Sequence, residues 1–196
     1  MIARDENVQR LADYAQQAIG RHGGEAARRA AARVYARLAE RVGDTAERPG
    51  ERIPVCRYLE GALAGMADGA SPLPEIARAF AALDSRLHWA RRKGASPSNR
   101  QFYDGHANAM IIGPGGLEQR EDVMVGVSLM APNTLYPDHN HPPEEVYLAF
   151  TDGEWWNAGM DWTQPGPGGL IYNPPGILHA MRSGEKPFLA LWLLPL

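Results

Sequence analysis

The chain has 196 residues, of which 44% are hydrophobic, and it carries a formal net charge of −3 with a single cysteine, Cys56. No apolar run approaches the ~20 residues of a membrane-spanning helix, and one cysteine excludes an internal disulfide. The charged start of the chain lacks the apolar core of a secretory signal, so we expect a cytoplasmic protein without a membrane partner.

The charge is divided unevenly along the chain. Residues 1–100 contain 17 basic and 12 acidic side chains, a net +5, whereas residues 101–196 contain 3 basic and 11 acidic side chains, a net −8. The arginines between residues 28 and 41 are interleaved with alanines and acids, which is typical of a solvated helix face rather than a nucleic-acid-binding stripe. We therefore expect two structural regions and no nucleic-acid partner.

Residues 1–95 have the periodicity of helices. Apolar side chains recur every three or four positions in four stretches, which begin near Val8, Ala31, Leu59 and Leu73. Ser71-Pro72 is interpreted as the N-cap and first-turn proline of the fourth helix. We expect this helical region to pack on the second region or on a partner subunit in a homodimer, with residues 91–100 as a polar linker.

After Gln101 the pattern changes from helical to alternating. Val123, Val125, Val127 and Leu129 are expected to face one side of a strand, with the intervening residues on the other side. Further strands are predicted at 107–112, 135–141, 144–151, 153–157, 169–173, 177–183 and 187–194. Many short strands separated by Gly- and Pro-rich turns favour a β-sandwich or small barrel over residues 96–196, so the expected fold class is α+β.

The stretch YPDHNHPPEEVYLAF, residues 136–150, concentrates potential metal ligands. His139 and His141 are two positions apart, so on a strand their imidazoles share one face, and a turn at the two prolines would bring Glu145 beside them. A third histidine, His179, follows a second Pro-Gly corner. Each histidine alone would be interpreted as an ordinary hydrogen-bonded residue. Three imidazoles with one carboxylate suit Zn²⁺, Fe²⁺, Mn²⁺, Ni²⁺ or Co²⁺ rather than Ca²⁺ or Mg²⁺.

The spacing H-x-H-x₃-E, followed by G-x₅-P-x-G-x₂-H, resembles the two motifs of the cupin superfamily. The second motif consists of Gly168, Pro174, Gly176 and His179. Three positions, Asn133, Gly153 and Ser183, depart from the usual cupin pattern and concern turns rather than ligands. The resemblance implies a jelly-roll-like β-barrel with a metal inside its mouth.

A narrower resemblance rests on the tyrosines of YPDHNHPPEEVYLAF, on YNPPGILHAMRSG and on the long helical region before them. In these features the chain is similar to the cupin-type lyases of the DddQ type, which split dimethylsulfoniopropionate (DMSP) into dimethyl sulfide and acrylate. Carried over by position, the resemblance implies that the metal ligands are His139, His141, Glu145 and His179. Tyr136 would be the candidate base, and Tyr147 would lie at or near the metal as the alternative base.

The implied reaction is a β-elimination, in which a base removes the weakly acidic proton beside the carboxylate and neutral dimethyl sulfide leaves. A divalent ion (zinc, iron or manganese) would hold the carboxylate of this small zwitterionic substrate. A tyrosinate is a strong base, since the phenol pKa is about 10, and a nearby cation would lower this pKa and make the phenolate more available near neutral pH. Aromatic faces attract a sulfonium, and the candidates to line its cavity are Tyr103, Trp155 and Trp192.

Two other functions fit the same residues. The ligand set binds Fe²⁺ equally well, so an iron-dependent cupin dioxygenase is one alternative. A non-catalytic, small-ligand-binding cupin is the other. The remaining histidines, His22, His88 and His106, have no matching partner in the sequence, and we interpret them as solvated or capping residues.

Overall fold

The computed structural model describes residues 3–46 and 49–196. Most of the helices precede the sheets, and they comprise α1 (Glu6–Arg21), α2 (Glu25–Glu40), α3 (Leu59–Ala67), α4 (Leu73–Asp84), α5 (Arg100–Gly105) and a 3-10 helix at Pro54–Tyr58. None of the helices in these two ranges is both long and apolar enough to cross a membrane. The helical periodicity of the first region is therefore confirmed.

The first helix, α1, begins and ends where its sequence provides the groups that a helix end needs. The Asp5 carboxylate caps it by accepting hydrogen bonds from the backbone nitrogens of Asn7 and Val8, at 3.0 and 3.2 Å. Just past its end, Gly23 has a φ of +91°. A side chain there would also collide with Leu170, since a Cβ would come 2.4 Å from that residue's Cδ1.

The predicted serine cap of α4 is not formed. Pro72 occupies the N-cap position, and its carbonyl accepts the first hydrogen bond of the helix from the Ile76 nitrogen at 2.9 Å. A proline side chain has no oxygen with which to cap, so no side-chain cap closes this end. The Ser71-Pro72 peptide bond is cis.

The strands form two sheets, which are antiparallel except for one parallel pair. The larger sheet has the order β1-β4-β3-β5-β12-β7-β10, with β2 paired to β3, and the smaller has the order β6-β11-β8-β9. Their bounds are β1 (Asp44–Thr45), β2 (Trp89–Ala90), β3 (His106–Ile112), β4 (Glu118–Gln119), β5 (Val123–Met130), β6 (Leu135–His139), β7 (Glu145–Ala149), β8 (Glu154–Asn157), β9 (Met160–Thr163), β10 (Leu170–Asn173), β11 (His179–Arg182) and β12 (Phe188–Pro195).

The alternation along β5 separates two hydrophobic clusters, as predicted. Val123, Val125, Val127 and Leu129 belong to the cluster that includes the buried faces of α1 to α4. Met124 and Met130, which point the other way, belong to a second cluster with residues of the smaller sheet. The helices therefore cover the outer face of the larger sheet, while its inner face opposes the smaller sheet, and the α+β architecture is confirmed.

A buried arginine ties the end of α2 to the larger sheet. The Arg120 side chain is fully buried, and its guanidinium donates to the carbonyls of Arg37 and Arg41 at 2.8 and 2.5 Å. It also donates to Asp122 at 2.8 Å and lies 3.4 Å from Glu118. A cation at a helix C-terminus satisfies carbonyls that have no partner within the helix. This contact fixes α2 against the sheet that carries the pocket described below.

Candidate metal centre and its pocket

Strand register brings the two histidine-bearing segments together. His139 is the last residue of β6 and His179 is the first of β11, and the two are direct cross-strand partners. The corner before β11 contains Gly176, whose φ is +71° and whose nitrogen donates to the His141 carbonyl at 3.0 Å. Glu145 opens β7 in the other sheet. Side chains that lie 40 residues apart in the chain therefore meet between the two sheets.

Three of the four predicted ligands form a tight group. The candidate ligand atoms of His141, Glu145 and His179 all lie within 4.8 Å of one another. Oε2 of Glu145 is 3.3 Å from Nε2 of His141 and 3.3 Å from Nε2 of His179. His139 lies beside this group, with its ring centroid 4.1 Å from that of His179, but its nitrogens are not part of the close cluster.

Backbone carbonyls orient all three imidazoles in the same way. In each histidine Nδ1 lies 2.9 Å from the carbonyl oxygen of a residue two positions away; the acceptors are Pro137, Pro143 and Ile177 for His139, His141 and His179 respectively. A carbonyl can only accept, so each Nδ1 carries the hydrogen and each neutral ring keeps its lone pair on Nε2. Metal-binding histidines are commonly held by this kind of outer contact.

The group has the donors and the unsatisfied atoms that suit a divalent metal. Nε2 of His179 is buried and has no hydrogen-bond partner, although it lies 3.3 Å from a carboxylate oxygen that also carries lone pairs. A cation between these atoms would turn a repulsive arrangement into two favourable contacts. Asn173 donates to the same Glu145 oxygen at 3.2 Å, which holds the carboxylate in place. The residues therefore fit a metal ion with nitrogen and oxygen ligands.

The charges of the group oppose the effect of burial on its carboxylate. Burial alone would raise the pKa of Glu145, but contacts with the imidazoles of His141 and His179 hold it at about 2 when those rings carry a proton on Nε2, the position that a metal ion would take. Burial lowers the pKa of His139 to about 3. At neutral pH the site therefore presents an ionised carboxylate beside a neutral His139, and both are forms that bind metals.

Both predicted tyrosines line the same pocket. The Tyr136 hydroxyl oxygen accepts a hydrogen bond from Nδ2 of Asn108 at 3.2 Å, and the Ser128 hydroxyl donates to Oδ1 of Asn108 at 2.9 Å. Burial raises the pKa of Tyr136 to about 12. Burial and then the Glu145 charge raise the pKa of Tyr147 well above its ordinary value. Tyr136 thus has an oriented amide donor at its oxygen, whereas Tyr147 faces a carboxylate.

The pocket has a volume of about 740 Å³ and is lined by two kinds of side chain. The polar ones include His139, His141, Glu145 and the two tyrosines. The apolar ones include Met110, Met124, Leu194 and the predicted residue Trp192. The Trp192 ring lies so close to β5 that a Cβ at Gly126 would come 2.3 Å from two of its atoms, which explains a glycine at this strand position.

Two predicted lining residues lie outside the pocket wall. Trp155 does face the interior, but it packs in the apolar cluster with ring centroids 6.0 Å from Tyr147 and 4.9 Å from Phe188. Tyr103 lies on α5 with its ring 4.0 Å below the Arg91 guanidinium, and it does not line the pocket. Strand parity predicts which side chains face inward, but not which inward side chains border a cavity.

Several pocket residues were not anticipated from the sequence. Arg91, Arg92 and Lys93, in the segment predicted to be a polar linker, line the pocket instead. His106 is completely buried and so is not a solvated residue, but it does cap a helix, since it occupies the C-cap position of α5 and its Nδ1 contacts the Phe102 carbonyl. Its ring stacks on Phe102 at 3.7 Å, and its Nε2 accepts a hydrogen bond from the Arg92 nitrogen at 2.9 Å. Three consecutive basic residues were the only sequence signal for this wall.

Comparisons with known proteins converge on one family. A family model for dimethylsulfoniopropionate lyase matches residues 26–190. The dimethylsulfoniopropionate lyase DddQ of Ruegeria pomeroyi is 32% identical over 119 residues, which are 60% of this chain and 59% of that protein. A DddL-type relative from Cereibacter sphaeroides is 34% identical over 140 residues, which are 71% of this chain and 57% of that protein. The chain thus spans less than two thirds of the length of these curated relatives.

Solved structures show the same fold. A crystal structure from the study of the DMSP lyases RdDddP and RnDddQII superposes with a TM-score of 0.70 at 20% identity, covering 96% of this chain and 92% of that one. The crystal structure of DddQ from Ruegeria pomeroyi DSS-3 gives a TM-score of 0.67 at 24% identity, covering 97% and 92%. The likeness extends over the helices as well as the sheets.

Proposed function

The chain belongs to the dimethylsulfoniopropionate lyase family, and we propose that it is a metal-dependent carbon–sulfur lyase that converts DMSP into dimethyl sulfide and acrylate. The observation that carries the proposal is the close group of His141, Glu145 and His179 beside a pocket that two buried tyrosines line. The family model that matches residues 26–190 supports the same function.

His141, Glu145 and His179 would hold the metal, with His139 beside them as the fourth candidate ligand. Imidazole and carboxylate ligands suit zinc, iron or manganese. When bound, such an ion supplies a positive charge that attracts the substrate carboxylate and favours the negative charge that develops as the neighbouring proton leaves. The backbone carbonyls that fix the three Nδ1–H groups keep the ring nitrogens aimed into the site.

Tyr136 is the base in the proposed reaction. Its ionised oxygen takes the proton from the carbon beside the carboxylate, and the electrons of that C–H bond form the double bond of acrylate. The C–S bond breaks with its electron pair going to sulfur, so the cationic sulfonium leaves as neutral dimethyl sulfide. The Asn108 amide, held by Ser128, donates to the Tyr136 oxygen and would stabilise its anion.

Tyr147 is the alternative base. It lies two residues after Glu145 on β7 and is completely buried, and the nearby carboxylate disfavours a second negative charge on its oxygen. Tyr147 is therefore better suited to shape the site than to take the proton. The Trp192 ring, on the strand paired beside Tyr147, would attract the sulfonium end of the substrate, an interaction worth ~0.5–2 kcal/mol.

A headspace assay for dimethyl sulfide tests the proposal. The metal-loaded protein should release dimethyl sulfide and an equal amount of acrylate from DMSP, without consuming oxygen. The Tyr136→Phe variant should lose activity by roughly 10²-fold or more, because a positioned base contributes about that factor. Tyr58→Phe, which removes a hydroxyl on the helical side of the molecule, is the matched control and should retain full activity.

Three results would contradict parts of this proposal. Metal-loaded protein that releases no dimethyl sulfide above background would exclude the lyase. Iron-dependent oxygen uptake would identify a dioxygenase, and ligand-induced thermal stabilisation without any turnover would identify a binding protein. Full activity in Tyr136→Phe together with loss in Tyr147→Phe would assign the base to the other tyrosine.

A further inference from the structure

A run of three basic side chains makes one wall of the pocket cationic. Arg91, Arg92 and Lys93 follow β2 and line the pocket, whereas Glu145 is the only acidic residue among its described lining residues. The chain as a whole has a net charge of −3, so this wall opposes the overall balance. A concave surface with one excess sign of charge concentrates ligands of the opposite sign.

The guanidinium groups of Arg91 and Arg92 differ in the contacts that they make with the rest of the protein. The Nε of Arg91 donates to the Tyr103 carbonyl at 2.6 Å, and its guanidinium lies over the ring of the same residue. Arg92 is half-buried, and within residues 3–46 and 49–196 its guanidinium has no hydrogen bond or ion pair. A partly desolvated guanidinium without an acceptor is costly unless a ligand supplies one.

The backbone of Arg92 is held firmly although its side chain is not. Its nitrogen donates to Nε2 of the buried His106, and Nδ1 of that imidazole contacts the Phe102 carbonyl. Burial lowers the pKa of His106 to about 4, so the ring is neutral and able to accept above that pH. The arginine is therefore anchored at its backbone, it lines the pocket, and its guanidinium offers five donors to a ligand.

Short ring contacts connect the Arg92 backbone to the metal-ligand residues. The Arg92 nitrogen donates to His106, whose ring centroid lies 5.4 Å from that of Tyr136, and the Tyr136 ring lies 4.7 Å from that of His139. Trp192 lies on β12, which β3 and β5 separate from β2 in the sheet order. The basic run and the Trp192 ring therefore belong to different parts of the pocket lining.

We propose that Arg92 binds the substrate carboxylate and thereby determines which way round a zwitterion enters the pocket. A guanidinium forms strong, directional hydrogen bonds with a carboxylate and repels a sulfonium. The acid group would therefore lie beside Arg92 and Tyr136, and the cationic group against Trp192. This orientation rests on the proposed function for its substrate, but the anion-binding subsite itself does not.

Binding of two half-substrates separates the two ends. Acrylate carries only the carboxylate and trimethylsulfonium only the cation, and calorimetric titration of each measures affinity without turnover. The Arg92→Gln variant should bind acrylate roughly 10- to 100-fold more weakly than the parent, in both the metal-loaded and the chelator-treated protein. Its affinity for trimethylsulfonium should be unchanged or higher, since a repulsive charge has been removed.

Three further variants guard against a general disturbance of the pocket. Arg28→Gln makes the matched change at an exposed arginine of α2 and should leave acrylate affinity unchanged. Arg92→Lys keeps the positive charge but lacks the planar guanidinium with its paired N–H donors. It should therefore bind acrylate more tightly than Arg92→Gln and more weakly than the parent. Trp192→Leu should weaken trimethylsulfonium binding and spare acrylate binding.

The possible results distinguish this subsite from the lyase proposal. If Arg92→Gln binds acrylate as tightly as the parent does, with and without metal, the proposed anion-binding subsite is wrong. The same conclusion follows if Arg92→Gln loses affinity for trimethylsulfonium as much as for acrylate. If the parent releases no dimethyl sulfide but binds acrylate through Arg92, the lyase proposal fails and the subsite stands. If Arg92→Gln turns over DMSP with an unchanged KM, the subsite fails and the lyase proposal stands.

Discussion

At the scale of residues, the metal centre depends on hydrogen-bond directions as much as on ligand identity. His179 combines a fixed Nδ1–H with a buried, unpartnered Nε2, which is the state that a neutral imidazole needs to bind a metal. His139 has the same outer contact but lies beside the close group rather than within it. The spacing of the histidines predicted all of these side chains near one another, but not this difference between them.

Replacing His179 should remove the metal while leaving a folded protein. We expect His179→Ala to bind a divalent ion at least ~10-fold more weakly, because even contacts outside the ligand set change affinity by that factor. Elemental analysis after dialysis measures the metal content. Added metal should raise the melting temperature of the parent but not of the variant. The exposed His22→Ala is the control, and equal metal content in His179→Ala and parent would disprove the assignment.

The aromatic residues show where sequence reasoning at this scale ends. Trp155 and Trp192 both face the interior, but Trp155 is enclosed by Tyr147 and Phe188 while Trp192 borders the cavity. Alternation along a strand is a local property and correctly indicates the inward side. Whether an inward side chain meets another side chain or empty space depends on the opposite sheet, which local alternation does not describe.

At the scale of elements, α2 is held to the sheet by the buried Arg120. Replacing it with leucine would leave the carbonyls of Arg37 and Arg41 and the Asp122 carboxylate without this donor, while Glu118 would keep its ion pair with Arg4. Removing one partner of a buried pair costs about 3–5 kcal/mol, so Arg120→Leu should unfold at a much lower urea concentration. Arg10→Leu, which breaks an exposed ion pair with Glu6, should change stability by at most ~1 kcal/mol. Equal effects of the two changes would refute this role for Arg120.

The same contact should make stability depend on acid pH. Hydrogen bonds from Arg120 are the main cause that lowers the pKa of Asp122 below its ordinary value of 3.8. A carboxyl with a lower pKa in the folded state stabilises the fold fully above its unfolded pKa, and this contribution disappears as pH falls through the folded pKa. The Asp122 side chain is 30% exposed, so solvent screens part of the effect.

Asp122→Asn therefore tests the direction of this dependence. The variant should be less stable than the parent at pH 6, and the difference should shrink as the pH falls below about 4. Urea unfolding at several pH values measures the difference. Asp161→Asn, at an exposed aspartate of β9, makes the matched change away from Arg120 and serves as the control. A gap between parent and Asp122→Asn that widens on acidification would reverse the argument.

At the scale of the whole molecule, the helices and the larger sheet share one hydrophobic cluster. Buried residues of α1 to α4 and the outward side chains of β3, β5, β7 and β12 all belong to it. The helices bury the outer face of the sheet, so unfolding them would expose that apolar face to water. The boundary predicted between residues 95 and 96 therefore separates two sequence patterns that are joined by a common core.

We expect the two regions to unfold together. All five tryptophans lie in strands, whereas the circular dichroism signal at 222 nm reports mainly on the helices. Urea transitions followed by tryptophan fluorescence and by circular dichroism should therefore have the same midpoint. Separate midpoints would mean that the helices form an independent unit. Repeating the measurement with Arg120→Leu should shift both midpoints equally.

The sequence by itself determined the features that arise within short segments. The change from helical to alternating periodicity identified the α+β class, and the spacing of His139, His141 and Glu145 identified candidate ligands. Backbone geometry explains this success, since side chains two or four positions apart have fixed relative directions on a strand or turn. The family resemblance came from the same local motifs, and the family model that matches residues 26–190 confirms it.

Only the tertiary structure decided which distant segments enclose the pocket. Sheet order places β6 and β11 opposite β7, and the connection after β2 brings Arg92 to the same cavity. The same packing buries His106 and leaves Tyr103 outside the wall. Local periodicity contains no information on such neighbours, because contacts across sheets depend on the packing of the whole chain. The ligands were therefore predictable from spacing, whereas the basic residues of the pocket lining were not.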